Sequence, residues 1–300
     1  VDLRDAFFEP LVQVAEKDKR VIFLTNDFEV FSLKDFKKAH PNQYIDVGVS
    51  EQNMINMAAG LAWAGKKPVV FGMANFMTLR CFEQIKLQIS CMNLPVTIVG
   101  VGPGFSFNFD GPSHHAISDM VLMNTLPGFH IWNLGGEETA KYLGENIVDF
   151  QNPSYVRVDK GEFPREAGEY KQGYSVVCPP YFRPTIITTG YMVERCTRIA
   201  EELMLGLIVV SRIKPFPTEL KKIIRQVGHS IVVDDSGPGG PLAFQVADCF
   251  SGDNCAYSSF SFLSLDHRNT FEFGSRDYLL ACHGFDLETL KSRIADQCPW

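Results

Sequence analysis

Short, unbroken apolar runs recur along this chain, each followed by a stretch with helical periodicity, and that alternation limits the fold more than any other feature. VIFL (21–24), KPVVFG (67–72), LPVTIVGVG (94–102) and FHIWNL (129–134) have strand length and no polar face. A strand without polar alternation is covered on both sides, as in a parallel sheet with helices on each face. Helical patterns lie between these runs at 3–18, 51–65, 78–93 and 137–150. The order then restarts: TIITTG precedes a helix at 191–204, LGLIVVSR one at 218–227 and SIVVDD one at 241–250, and the amphipathic LETLKSRIADQ closes the chain. The stretch between the two series is rich in charge, Gly and Pro. The pattern predicts an α/β chain of two doubly wound domains, 1–162 and 183–300, joined by a linker at 163–182. With 300 residues, each half is long enough to bury a core of its own.

Composition narrows the function classes. A net charge of −7, a pI near 5.5 and the lack of any basic block argue against nucleic acid. No apolar run reaches the roughly 18 residues of a membrane span. The first segment is acidic and amphipathic, so no signal peptide is expected. The eight cysteines (81, 91, 178, 196, 249, 255, 282 and 298) include no CxxC pair, which predicts a reduced, cytoplasmic protein without a zinc ribbon. His114 and His115 form the one histidine cluster, and adjacent residues rarely both face one ion, so no metal site is expected in this chain. GVGPGF (100–105) and GPGGP (237–241) follow strands but fit neither GxGxxG nor a P-loop, and turn chemistry explains both.

YIDVGVSEQNMINMAAGLAWAG (44–65) places a single carboxylate, Glu51, at the head of a helix with almost no polar stripe. Such a helix reads as core on every side. Two readings of Glu51 stand side by side. Ser50 as N-cap with a glutamate in the first turn would suit the helix dipole. Alternatively, a carboxylate in an apolar place is kept because chemistry uses it.

The same segment resembles the transketolase family pattern Asp-x-Gly-x-x-Glu-Gln ahead of a small-residue helix. Further segments match in order: LRDAFFEPLVQVAEKDKRVIFLTND, RCFEQIKLQISCMNLPV, DGPSHH, PSYVRVDKGEFP and, in the second half, PTIITTGYMVERCTRIAEEL, IKPFPTEL and SIVVDDSGPGG. The resemblance implies a pyrimidine-binding domain for thiamine diphosphate followed by the family's C-terminal domain. It makes Glu51 the acid that holds the aminopyrimidine ring nitrogen and readies the cofactor to lose its thiazolium proton. It implies that Phe76 stacks on the pyrimidine, with Met73, Gln84 and Asp27 beside the cofactor. It assigns Asp110 and His114 to the donor's carbonyl and hydroxyl groups, with His115 as an added donor, Arg157 to the sugar's phosphate and Arg80 to the substrate side.

Two departures qualify that picture. Gly102 and Pro103 stand where phosphosugar enzymes of the family carry a histidine or arginine, and Phe31 replaces a phosphate-holding serine beside Ser32. With Phe105, Phe107 and Phe109 in the adjoining loop, the resemblance implies a non-standard or unphosphorylated substrate. The family's Gly-Asp-Gly…Asn element for diphosphate and Mg²⁺ is absent; SGDN (251–254) lies in the wrong domain. The chain therefore resembles the C-terminal subunit of a split transketolase, with an N-terminal subunit to supply the diphosphate and Mg²⁺ site in a heterotetramer of two plus two chains. The alternatives weighed are the beta subunit of a 2-oxo-acid dehydrogenase, a deoxyxylulose-phosphate-synthase-like enzyme, and a non-catalytic subunit that has kept the fold.

Overall fold

The computed structural model describes residues 2–161, 169–179, 183–251, 259–266 and 268–298. In the first half, β1 (Val21–Thr25), β2 (Tyr44–Asp46), β3 (Lys67–Met73), β4 (Thr97–Val101), β5 (His130–Asn133) and β6 (Ser154–Val158) run parallel in the order β5-β6-β4-β3-β1-β2. β1, β4 and β6 are buried throughout, as their unalternating sequences require. The helix Leu3–Lys17, capped by the Asp2 carboxylate on the Arg4 amide, packs Phe7, Phe8 and Leu11 on one face of the sheet. The helix Glu51–Trp63 packs Met54, Ile55 and Ala58 on the other.

The second sheet takes in β7 (Glu169–Tyr170), β8 (Tyr174–Cys178), β9 (Thr185–Thr188), β10 (Gly206–Val210), β12 (His229–Val233) and β13 (Ser259–Leu263), while β11 (Arg212–Lys214) leaves it. Its order is β13-β12-β9-β10-β8-β7, parallel except at one edge, where β8 runs antiparallel to β10 and to β7. The β7–β8 hairpin occupies residues expected to be linker; the remainder of the expected linker, 163–168 and 180–182, lies outside the described residues.

The two halves are more entangled than the sequence implies. β11 follows β10 directly yet joins the edge of the first sheet, antiparallel to β5, with Arg212 opposite Trp132. Lys214 fixes this crossing by donating to the carbonyls of Asn124 and Leu126 at 3.0 and 2.7 Å. One apolar core runs from Ile22, Val70 and Met120 of the first half to Ile208, Val232 and Leu242 of the second. This shared core lies beside one confined to the first half, around Phe7, Phe23 and Val156, and one built almost wholly by the second, around Ile186, Leu207 and Leu279.

The helix Glu51–Trp63 also departs from expectation. Its buried stripe is one-sided: Gln52, Asn53, Asn56 and Gly60 face outward, and Trp63 is 73% exposed. Among the described residues, seven cysteines are free, no helix is long and apolar enough to cross a membrane, and no three potential metal ligands come together.

Candidate active site

Strand register brings the candidate residues to one rim. Thr25 pairs with Phe71, Met73 with Val101 and Val101 with Val158, so the carboxyl ends of β1, β3, β4 and β6 finish together. The segments that leave these ends carry Asn26 and Asp27, Phe76 and Arg80, Phe107 to His114, and Lys160. In a doubly wound sheet this is the edge where ligands bind.

Glu51 lies at this rim and is 3% exposed. Its carboxylate accepts hydrogen bonds from Asn26 Nδ2 on Oε1 and Arg80 Nη1 on Oε2, both at 2.9 Å. Burial pushes the carboxyl up, but its own amide and the Arg80 and Asn26 donors outweigh burial, so the net shift is downward. Ser50 makes no side-chain cap; its hydroxyl donates to Val47 O at 2.9 Å. The simple capping account of this turn is therefore incomplete, and Glu51 is a paired, buried acid.

From Glu51 a continuous line of contacts runs across the rim. The Arg80 guanidinium carbon lies 4.4 Å above the Phe76 ring centroid. The Phe76 ring meets His114 edge-on at 4.9 Å, and His114 lies 6.3 Å from Phe107. Lys160 Nζ sits 4.2 Å over the Phe107 ring. His114 Nδ1 pairs with Ser113 Oγ at 3.0 Å, leaving Nε2 for other partners. Asp110 is exposed at the mouth of the same loop. Burial pushes the Lys160 ammonium down, while the charges of Asp159 and Asp110 act in the opposite direction.

Other expected site residues lie elsewhere. Arg157 is not a substrate-facing cation: it is fully buried, with Nε and Nη2 on the Asp119 carboxylate at 3.0 and 2.9 Å, Nη1 on Asp235 at 3.0 Å and Nη2 also on Ala116 O at 2.5 Å. The two-residue period of β6 puts Arg157 on the same side as Tyr155, whose hydroxyl shares Asp119 at 2.6 Å, and this directs it to the seam between the halves. His115 is also turned away from His114. It is 5% exposed, its ring meets Phe105 edge-on at 4.9 Å, and it lines a separate 120 Å³ cavity with Asn75, Ser118 and Thr270. Arg80 belongs to the Glu51 pole, not to the substrate side. Gln84 is half-buried and shows no hydrogen bond to Glu51, with its Oε1 unpartnered. Met73 ends β3 half-buried, and Asp27 is exposed with φ of 65°, its amide donating to Asp46 Oδ1 at 3.0 Å. Of the three loop phenyls, Phe105 enters the second domain's core and Phe109 faces solvent, so only Phe107 borders the rim.

Two residues escaped sequence reasoning. Asn26, next to the expected Asp27, is the one that touches Glu51; an asparagine after a strand looks like a turn. Lys160 lies three residues beyond Arg157, past the strand end, where a lysine ordinarily reads as solvated. The residues at the Glu51 pole fit a planar, nitrogen-bearing ring. The Arg80 guanidinium, itself planar, satisfies both Glu51 and the Phe76 face, and Asn26 Oδ1 is buried without a partner beside them.

Comparison with known proteins agrees with this geometry. Residues 1–166, more than half the chain, match the family model of the transketolase pyrimidine binding domain. The chain is 30% identical over 263 residues to 6-deoxy-6-sulfo-D-fructose transketolase subunit SqwH of Clostridium sp. (strain MSTE9), covering 84% of this chain and 81% of that one. It is 29% identical over 259 residues to a subunit of apulose-4-phosphate transketolase from Phocaeicola vulgatus, covering 83% of each. In fold it is similar to a split-gene transketolase solved as an inactive β4 tetramer, with a TM-score of 0.86, 23% identity and coverage of 99% of this chain and 98% of that one. The correspondence in length is thus to subunits, and the family match spans the rim that carries Glu51: the chain belongs to the transketolase family.

Proposed function

We propose that this chain is the pyrimidine-binding subunit of a two-chain transketolase that moves a two-carbon ketol unit from a ketose with an anionic end to an aldose. The observation that carries the reading is the unbroken line Glu51–Arg80–Phe76–His114–Phe107–Lys160 along one rim. Bound thiamine diphosphate supplies the carbanion-stabilising chemistry. Glu51 holds a proton at the aminopyrimidine nitrogen, burial pushing its carboxyl toward proton sharing against the donors that hold it low. Phe76 orients the ring, and Asn26 fixes the Glu51 carboxylate. His114, through Nε2, and Asp110 hold or pass protons at the sugar's carbonyl and hydroxyl oxygens. Phe107 keeps water from this side. Lys160 takes the anionic end, the role first expected of Arg157.

Two observations support an anion of unusual setting. The relatives described above are transketolase subunits for 6-deoxy-6-sulfo-D-fructose and for apulose 4-phosphate, sugars that each carry an anionic group. Phe31, 83% exposed, leaves the usual serine position without a donor, and the Ser32 hydroxyl is occupied by Asp5 at 2.5 Å. The rim thus offers a cation at Lys160 without the family's full phosphate set, which favours a ketose outside the common pentose phosphates.

We assign the cofactor's diphosphate and Mg²⁺ contacts to a second chain, a reading supported by the match in length to transketolase subunits. Val49, Trp63, Leu79, Leu87 and Met92 expose apolar surface on and beside the helix that carries Glu51, a face suited to burial against another chain. We read the working assembly as two copies of each subunit, in the cytoplasm. The test is to tag this chain, recover its complex from the native source and assay ketoses ending in phosphate, sulfonate or hydroxyl. A co-purifying subunit with Gly-Asp-Gly, bound thiamine diphosphate and turnover of anionic ketoses is expected. A chain that stays alone and retains no thiamine diphosphate with Mg²⁺ would refute the reading; preference for the hydroxyl-ended ketose would refute the anion assignment.

A further inference from the structure

Arg80 makes two contacts at once. Its Nη1 donates to Glu51 Oε2 at 2.9 Å, and its guanidinium carbon lies 4.4 Å over the Phe76 centroid. These are the contacts that an aminopyrimidine requires: a nitrogen against the buried carboxylate and a face against the phenyl ring. Guanidinium and pyrimidine are both flat, delocalised and able to donate N–H bonds, so each satisfies the pair. Where the pyrimidine takes the same carboxylate oxygen and the same phenyl face, Arg80 has to withdraw.

The build of the segment suits a head group that moves on a fixed base. The Arg80 carbonyl accepts from Gln52 Nε2 at 3.1 Å, which ties its backbone to the first turn of the Glu51 helix. The Arg80 side chain is 44% exposed while that of Glu51 is 3% exposed, so the guanidinium has solvent to enter and the carboxylate has none. We propose that Arg80 is a built-in competitor of the cofactor: it pairs with Glu51 and covers Phe76 until the aminopyrimidine displaces it. This rests on the reading of the rim as a thiamine-diphosphate site.

Two consequences follow from the physics. With Arg80 in place, the buried carboxylate has a counter-ion and is not left with an uncompensated charge. When Arg80 leaves, one of the influences holding Glu51 low leaves with it, and burial then drives the carboxyl upward, toward the proton sharing the chemistry uses. Arg80 thereby lowers affinity for the cofactor while keeping the acid ionised and stable beforehand.

The test is calorimetric titration of thiamine diphosphate, at fixed Mg²⁺, into the two-subunit complex stripped of cofactor with a chelator. Arg80→Ala is expected to bind about tenfold more tightly than the wild type, and Arg80→Lys to fall between. In a Glu51→Gln background the gain from Arg80→Ala should vanish, because the ion pair to be displaced is already gone. Size-exclusion chromatography confirms assembly of each variant, and Arg80→Met replaces Arg80→Ala if alanine disturbs it. Unchanged or weaker binding by an assembled Arg80 variant overturns the proposal while leaving the functional reading intact. A wild-type complex that binds no thiamine diphosphate overturns both.

Discussion

Glu51 is a carboxylate pulled in two directions, up by burial and down by Asn26, Arg80 and its own amide, with the downward side ahead in this structure. Lys160 is the complementary case at the other end of the rim: a cation pushed down by burial and held over Phe107, where we propose it takes the substrate's anionic end. Replacing Lys160 by alanine should raise KM for an anionic ketose by roughly 10- to 100-fold, the usual worth of a charge-assisted bond. kcat should change little, and a ketose ending in hydroxyl should show no KM effect; steady-state kinetics on both substrates checks this. The contrast with Arg157 shows what a single sequence conceals at this scale. Glu51 stands out in sequence as a lone carboxylate in an apolar helix, but the residues alone leave a cap and a chemical acid equally open, and it is the family resemblance that favours the acid. Arg157 and His115 carried suggestive chemistry, but only three-dimensional packing shows that one is consumed by Asp119 and Asp235 and the other turned into a cavity.

At the scale of elements, the strands were legible because a buried parallel strand leaves no polar position to misread. The helix Glu51–Trp63 reads in sequence as covered on all sides, yet within this chain only the Met54–Ile55–Ala58 side is covered. Its small residues speak of close packing without saying which chain does the covering. β7, β8 and β11 escape a sequence reading since a short strand in Gly- and charge-rich sequence gives no periodic signal. Gly72 in β3 shows how an element positions the site. A Cβ there would meet Asn26 Oδ1 at 2.5 Å and Met77 Sδ at 2.9 Å. Gly72→Ala should displace Asn26 from Glu51, destabilise the fold by about 1–3 kcal/mol and lower turnover, as read by urea unfolding and initial rates.

On the scale of the whole molecule, the seam between the halves is ionic and reciprocal. Arg157 of the first half reaches Asp235 of the second, and Arg276 of the second reaches Asp159 at 2.5 Å and Pro103 O at 3.3 Å in the first. Removing one buried partner strands the others, so Arg157→Met should destabilise the chain by about 3–5 kcal/mol, measurable by thermal or denaturant unfolding. The pH dependence of stability has a defined sign. Burial holds His115, His130, His229 and His283 below the ordinary 6.5, so their contribution is complete above that pH and is lost as pH falls through it toward their folded values. Asp234 opposes them, its carboxyl raised to about 6 by burial and by Asp235, but it is one group against four. The melting temperature should therefore be lower at pH 5 than at pH 7, which calorimetry across that range checks. All of this scaffolding presents one acid at one rim, where we propose that Glu51 works on thiamine diphosphate held jointly with a second chain. The most direct test is single-substrate turnover by the assembled complex carrying Glu51→Gln, with partner and cofactor content measured on the same sample. An intact complex whose turnover falls by about 10²–10⁴-fold is expected. An assembled, cofactor-loaded variant that turns over within a few-fold of the wild type would contradict that role of Glu51.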